Sequence, residues 1–279
     1  MTRSPEVIGL IAGGRQFPLL VARGVKAAGH TLVAAAFSGH SNLDVAAEAD
    51  VFRELKLGQL GKLIDFFKQN GVTRVVMAGT IDKPKAMDLR HLDMRALKLV
   101  FKRRDKGDDA LLRMLSREFE SEGMPVAPAH LYLPSLVTPE GVLSRRAPDE
   151  REMSDIRLAV RAARILGRLD IGQCVVMREG IVAAVEALEG TDATIERGCA
   201  LGGPGCVVVK VFKPGQEERV DLPSIGPDTV RAMARGQAVC LAVEAGKSLF
   251  FDREEALAEA DKAGIAVYGF GDLGLEQDN

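Results

Sequence analysis

The chain has 279 residues, 47% hydrophobic and 27% charged, with a formal net charge of −2. That is apolar material enough for a packed interior, which excludes a disordered chain, while near-neutrality excludes a surface that as a whole attracts nucleic acid or anionic lipid. Cys174, Cys199, Cys206 and Cys240 form no Cys-x-x-Cys pair and no stretch stays apolar for the roughly 20 residues that span a bilayer, so the expectation is a cytoplasmic protein without disulfides, whose only membrane contact is peripheral.

Residues 7–12 are a continuous apolar run ending at Gly13-Gly14, which predicts a buried strand entering a tight turn. A helix follows over 19–28, a second strand over 31–37, a helix over 60–69 closed by Asn70-Gly71, and a third strand over 74–78 running into Gly79. Strands alternating with helices imply a Rossmann-like, mostly parallel sheet. Residues 82–104 are dense in charge, with Met94, Leu97 and Phe101 spaced to line one helical face, and predict exposed helices. Residues 108–122 form a clearer amphipathic helix with Leu111, Leu112, Leu115 and Phe119 inward.

Pro134, Pro139, Pro148 and Gly141 interrupt any helical period, which predicts a linker over 134–150 between an N-terminal domain of 1–133 and a C-terminal domain of 151–279. In the second part, 155–166 predicts a helix stopped by Gly167. Strands are expected at 174–177 and 182–185, joined around Glu179-Gly180, and at 207–212, 239–243 and 265–270, with helices at 228–234 and 253–263. The fold class is therefore α/β in both halves, the second a mixed unit.

The turn Gly13-Gly14-Arg15-Gln16 is either a simple tight turn or a place where backbone amides and a helix start meet a phosphate. Its spacing is not that of a dinucleotide fingerprint, and Leu241 stands where a P-loop ending at Lys247-Ser248 needs glycine. The histidines at 30, 40, 91 and 130 are too scattered for a metal pair. Polar residues gather in the second half: Glu189, Thr191 and Asp192 at an expected helix start, Lys210 and Lys213 about a strand end, Asp221 before Pro223 and Gly226, and Glu244 closing another strand. The acids at 189 and 192 either cap that helix or face a cleft. Phosphoanhydride hydrolysis uses carboxylates for a cation and for water, and lysines for phosphate charge, all of which stand here at strand ends.

Several stretches in fixed order carry a resemblance: 9–14 with Phe17-Pro18, 107–113, 169–173, 186–192, 209–216, 221–226 and 243–246. Together, nearly end to end, they resemble the LpxI-type UDP-2,3-diacylglucosamine pyrophosphohydrolases. The resemblance implies hydrolysis of UDP-2,3-diacylglucosamine to UMP and 2,3-diacylglucosamine 1-phosphate (lipid X) on the route to lipid A. It also implies water directed to the phosphorus nearer the uridine, a divalent cation, usually Mg2+, and two domains holding the lipid-bearing substrate between them. By the same resemblance Asp221 is the essential acid, a metal ligand or water-orienting group, with Glu189 and Asp192 as further ligands and Glu244 as another catalytic acid. Lys210 and Lys213 meet the pyrophosphate, and Gly13, Gly14, Gln16 and Thr191 meet the nucleotide or sugar phosphate. Basic residues at 95, 98 and 102–104 would rest on inner-membrane headgroups if the substrate stays in the bilayer. A homodimer stays open, and the rivals are a nucleotide-sugar or lipid carrier without turnover and a sugar-nucleotide oxidoreductase.

Overall fold

The computed structural model describes residues 4–81, 92–102 and 108–274. It divides into two compact units, Met1–Pro134 with Glu217–Val220, and Ser135–Gln216 with Asp221–Asn279.

In the first unit, β1 (Val7–Ala12), β2 (Thr31–Phe37), β3 (Val51–Leu55) and β4 (Arg74–Ala78) form a parallel sheet in the order β3-β2-β1-β4. Both faces are covered, which is why β1, β2 and β4 are nearly continuous apolar runs. Ile8, Leu10, Leu32 and Ala34 pack with Val21, Ala22 and Val25 of α1 (Phe17–Ala27). On the other face Val33, Ala35, Val75 and Met77 meet Phe66 and Phe67 of α2 (Leu60–Gln69), Ala96 and Leu99 of α3 (Met94–Lys102) and Phe119 of α4 (Asp108–Ser121). Met94 and Phe101 of α3 are exposed. Met87, Arg103 and Arg104, expected on exposed helices, lie outside the described residues. The edge strand β3 was not predicted, because Arg53 and Glu54 break its apolar pattern; the Arg53 guanidinium stands 4.5 Å from the Phe66 ring centre.

The second unit holds a mixed six-stranded sheet in the order β5-β12-β10-β8-β6-β7. Here β8 (Val207–Lys210), β10 (Cys240–Glu244) and β12 (Ala266–Phe270) are parallel, while β5 (Gly141–Val142), β6 (Cys174–Arg178) and β7 (Ile181–Val185) pair antiparallel. A short parallel pair, β9 (Ser224–Ile225) and β11 (Leu249–Phe250), lies beside it. Three helices, α6 (Thr191–Gly202), α7 (Pro227–Arg235) and α8 (Arg253–Ala263), pack on one face through Ile195, Val230, Met233, Ala256 and Ala260. The opposite face is covered by α5 (Glu150–Arg168) through Ile156, Ala159, Val160 and Ala163.

Two expectations need correction here. Residues 135–150 are not a free linker: β5 pairs with β12, the buried Thr138 hydroxyl accepts from the Ser248 hydroxyl at 2.8 Å, and the Leu143 amide donates to the Val267 carbonyl. The prolines mark turns in a segment that borders the sheet. Nor does α5 begin at 155 or stop before Gly167. Asp149 and Glu152 form a reciprocal capping box that starts it earlier, and Gly167 lies inside the helix. The hairpin of β6 and β7 turns where expected, with Glu179 at φ 50° and Gly180 at φ 81°, the left-handed pair that a two-residue turn demands. Buried Asp155 accepts from both turn amides, at 3.0 and 2.7 Å.

Candidate active site

Ligands of open α/β sheets gather beyond the carboxyl ends of the parallel strands. In the second unit that edge carries the ends of β8, β10 and β12 and, by antiparallel pairing, the start of β6, where Cys174 stands opposite Lys210, and the end of β7, followed by Glu186. Lys210 is buried, and its Nζ donates to the Ser224 carbonyl at 2.8 Å, one of three donors that an ammonium has. Glu244 closes β10. Its Oε2 accepts from the Phe212 amide at 3.0 Å and its Oε1 lies 3.7 Å from Arg164 Nη2.

The loop after β8 brings two expected residues together through a third that the sequence reading missed. Buried Gln216 accepts from the Lys213 amide at 3.3 Å and donates from Nε2 to Asp221 Oδ2 at 2.6 Å. Lys213 also pairs with Asp170 at 2.7 Å. Asp221 is exposed and, among the described residues, has no ion-pair partner, so its carboxylate is held by a neutral amide. Gly167 supports this loop: a Cβ there would stand 2.9 Å from Pro214 Cδ and 3.4 Å from Lys213 Cα.

A second missed residue is Glu186. Its buried carboxylate accepts from the Thr191 hydroxyl at 2.9 Å and the Gln173 amide at 3.2 Å. Its neighbour Cys174 is fully buried, which pushes the thiol up to about 12; Glu186 and Asp192 add to that and Lys210 opposes it. Glu186, Asp192 and Lys210 thus act electrostatically on one point. The signal was present in the stretch 186–192, where a carboxylate precedes a helix start by five residues.

Glu189 is placed otherwise. Its carboxylate meets Arg197 two turns along α6 and accepts from the Thr194 hydroxyl at 3.3 Å, and Arg197 holds it below the usual carboxylate range. Its bonds serve the helix it precedes. Asp192 is exposed in the first turn of α6. Among the described residues, no three His, Cys, Asp or Glu side chains are grouped to hold a metal ion, so Asp221, Glu189 and Asp192 do not form a ready-made cage.

Gly13, Gly14 and Gln16 belong to the first unit. The Gly13 amide donates to the Ala78 carbonyl at 2.7 Å and the Gly14 amide to the Thr80 carbonyl at 2.6 Å. A Cβ on Gly13 would lie 2.7 Å from Gly79 C and Thr80 O. Both amides expected to meet a phosphate are therefore spent within the fold, and Gly13 is there because the end of β4 runs against it. Gln16 caps α1 without a side-chain hydrogen bond to the helix.

The family models described as the LpxI N-terminal domain and the LpxI C-terminal domain match residues 7–136 and 139–268. A Caulobacter vibrioides protein named UDP-2,3-diacylglucosamine pyrophosphatase LpxI is 39% identical over 276 residues, covering 94% of this chain and 96% of its own. Likenesses to solved structures are loose. The biotin carboxylase domain of Hydrogenobacter thermophilus 2-oxoglutarate carboxylase reaches a TM-score of 0.30 at 13% identity, over 65% of this chain and 36% of its own. An N5-carboxyaminoimidazole ribonucleotide synthetase reaches 0.28 at 12%, over 74% and 47%. Neither bears on the argument, whereas the family models span both units and the Caulobacter relative nearly the whole length: the chain belongs to the LpxI family.

Proposed function

We propose that this chain hydrolyses the pyrophosphate of UDP-2,3-diacylglucosamine to UMP and 2,3-diacylglucosamine 1-phosphate, on the route to lipid A. The family and the 39% identical relative support the substrate and the reaction class. The observation that carries the chemistry is Asp221, an exposed carboxylate oriented by the Gln216 amide and joined through it to Lys213.

In this reading Asp221 orients a water molecule and takes its proton as the oxygen attacks the phosphorus nearer the uridine; the sugar phosphate leaves with the bridging oxygen. Buried Lys210, with donors beyond the one given to Ser224, and Lys213 offset phosphate charge that grows in the transition state. Thr191 and Glu186 shape the adjoining start of α6 for a phosphate or sugar group. Magnesium is commonly held by one or two carboxylates with substrate phosphates and water, not by an all-protein cage. Asp221 fits that use and Glu189, taken by Arg197, does not. The ion would neutralise charge on the phosphate oxygens.

The test is hydrolysis in water enriched in heavy oxygen, with and without magnesium. Label in UMP is the expected result, and label in the sugar phosphate overturns attack at the inner phosphorus. A carrier without turnover would yield neither product.

A further inference from the structure

Residues 244–251 leave β10, turn at Gly246 and form β11. Gly246 has φ 73°, the left-handed conformation that favours glycine. Its amide donates to the Thr138 carbonyl, and the Thr138 amide donates to the Ser248 carbonyl, each at 2.9 Å. The hydroxyl of buried Ser248 lies 2.6 Å from the Glu244 carbonyl oxygen. The turn is thus fixed to the segment that borders the sheet.

From there it grips both ends of the loop that carries Lys213, Gln216 and Asp221. Downstream of Asp221 the grip is backbone. β11 pairs in parallel with β9, and the Leu249 amide donates to the Pro223 carbonyl and the Phe251 amide to the Ile225 carbonyl, each at 2.9 Å. Upstream of Lys213 it is made by side chains. The Val211 amide still bonds to the Gln173 carbonyl at 2.9 Å, but the next amide, that of Phe212, donates to Glu244 Oε2 at 3.0 Å. Lys247 Nζ stands 5.7 Å from the centre of the Phe212 ring, within reach of a cation–π contact.

Family resemblance makes Glu244 a catalytic acid, and its surroundings argue against that role. Its second oxygen lies 3.7 Å from Arg164 Nη2 on α5, and only 14% of the side chain is exposed. Side chains alternate across a strand, so Glu244 shares with Ala242 the sheet face under α5. Lys210 and Glu186 share with Val208 and Ala184 the face under α6, α7 and α8. Both carboxylate oxygens are turned to the protein's own donors, across the sheet from the buried lysine.

We propose that Glu244 is a positioning residue. Through the Phe212 amide it fixes the upstream stem of the loop, as β11 fixes the downstream one, and so sets where Lys213, Gln216 and Asp221 stand. This rests on the reading of the chain as a hydrolase that uses Asp221. The Phe212 amide requires an acceptor and not a charge. Glutamine supplies that acceptor without a proton to give or a full charge for a cation.

The experiment compares Glu244→Ala and Glu244→Gln with wild type in UMP release across pH, and in hydrogen exchange at Phe212 read by mass spectrometry. Glu244→Ala should lower kcat by about tenfold or more, since misplacing reacting groups by about 1 Å costs up to roughly a hundredfold, and should speed exchange at Phe212. Glu244→Gln should recover kcat to within about threefold of wild type, the scale of exchanging a charged acceptor for a neutral one. It should also keep the wild-type pH profile and magnesium dependence, with Phe212 protected. Glutamine that loses as much as alanine, or that removes a limb of the pH profile, overturns the proposal and makes the carboxylate itself the catalytic group. Alanine with wild-type kcat, or with Phe212 as protected as before, overturns it as well. Should the alanine variant fail to fold, the glutamine variant decides by the same outcomes. Wild-type protein that releases no UMP would instead overturn the hydrolase reading, and exchange at Phe212 would still report the Glu244 hydrogen bond.

Discussion

The turn at Gly13-Gly14 and the loop from Lys210 to Asp221 are both strand-end segments, and they use their backbone and side chains in opposite ways. In the first, the glycine amides bond to the Ala78 and Thr80 carbonyls and the missing side chains make room for the neighbouring chain. In the second, backbone and side-chain groups are arranged around polar atoms: Glu244 on the Phe212 amide, Gln216 between Lys213 and Asp221, Lys210 on the Ser224 carbonyl. A glycine-rich turn after the first strand invites a phosphate reading, yet its donors are consumed. A loop with little glycine holds the charges. What separates the two is whether polar groups have remaining valence once the fold has satisfied itself.

The comparison breaks most decisively at Asp221. Asp221→Ala should lower turnover by about a thousandfold while substrate binding persists, the scale expected for losing a positioned proton acceptor; initial rates beside calorimetric binding decide it, and a small loss would move the chemistry elsewhere. Lys210→Met keeps the side-chain volume and removes the ammonium. It should cost about a hundredfold in kcat/KM, typical of one lost charge-stabilising donor, with a melting curve showing that the fold survives.

Gly13→Ala probes the other loop. Overpacking against Gly79 and Thr80 should destabilise the protein by about 2 kcal/mol in denaturant titration, with kcat of the folded enzyme unchanged; a selective loss of kcat would return a catalytic role to the turn. The smallest effect is expected from Glu189→Gln, where an exposed ion pair with Arg197 is lost: turnover and magnesium dependence should stay within about twofold of wild type. A marked rise in the magnesium requirement would make Glu189 a ligand after all.

Much of the fold was legible because both faces of each sheet are covered. The strands at 7–12, 31–37 and 74–78 stand where continuous apolar runs put them. β3 escaped because an edge strand tolerates Arg53 and Glu54, and Gly167 misled because a glycine that ends a helix and one that lets a loop approach look alike in one dimension. The candidate site was legible in its charged members only. Lys210, Lys213, Asp221 and Glu244 announce themselves by charge at strand ends, whereas Gln216 matters through two hydrogen bonds that only the folded loop creates. Glu186 was passed over because its burial is a tertiary property, set by the approach of Gly172 and the Thr191 hydroxyl.

The contact of Gly167 with Lys213 and Pro214 leaves no compliant side chain between helix and loop. Any larger residue at 167 would have to push Lys213 and Pro214 away from the helix, and with them the backbone that Gln216 holds. The side chain that glycine lacks is therefore what lets the loop of Lys213, Gln216 and Asp221 sit directly on the helix backbone.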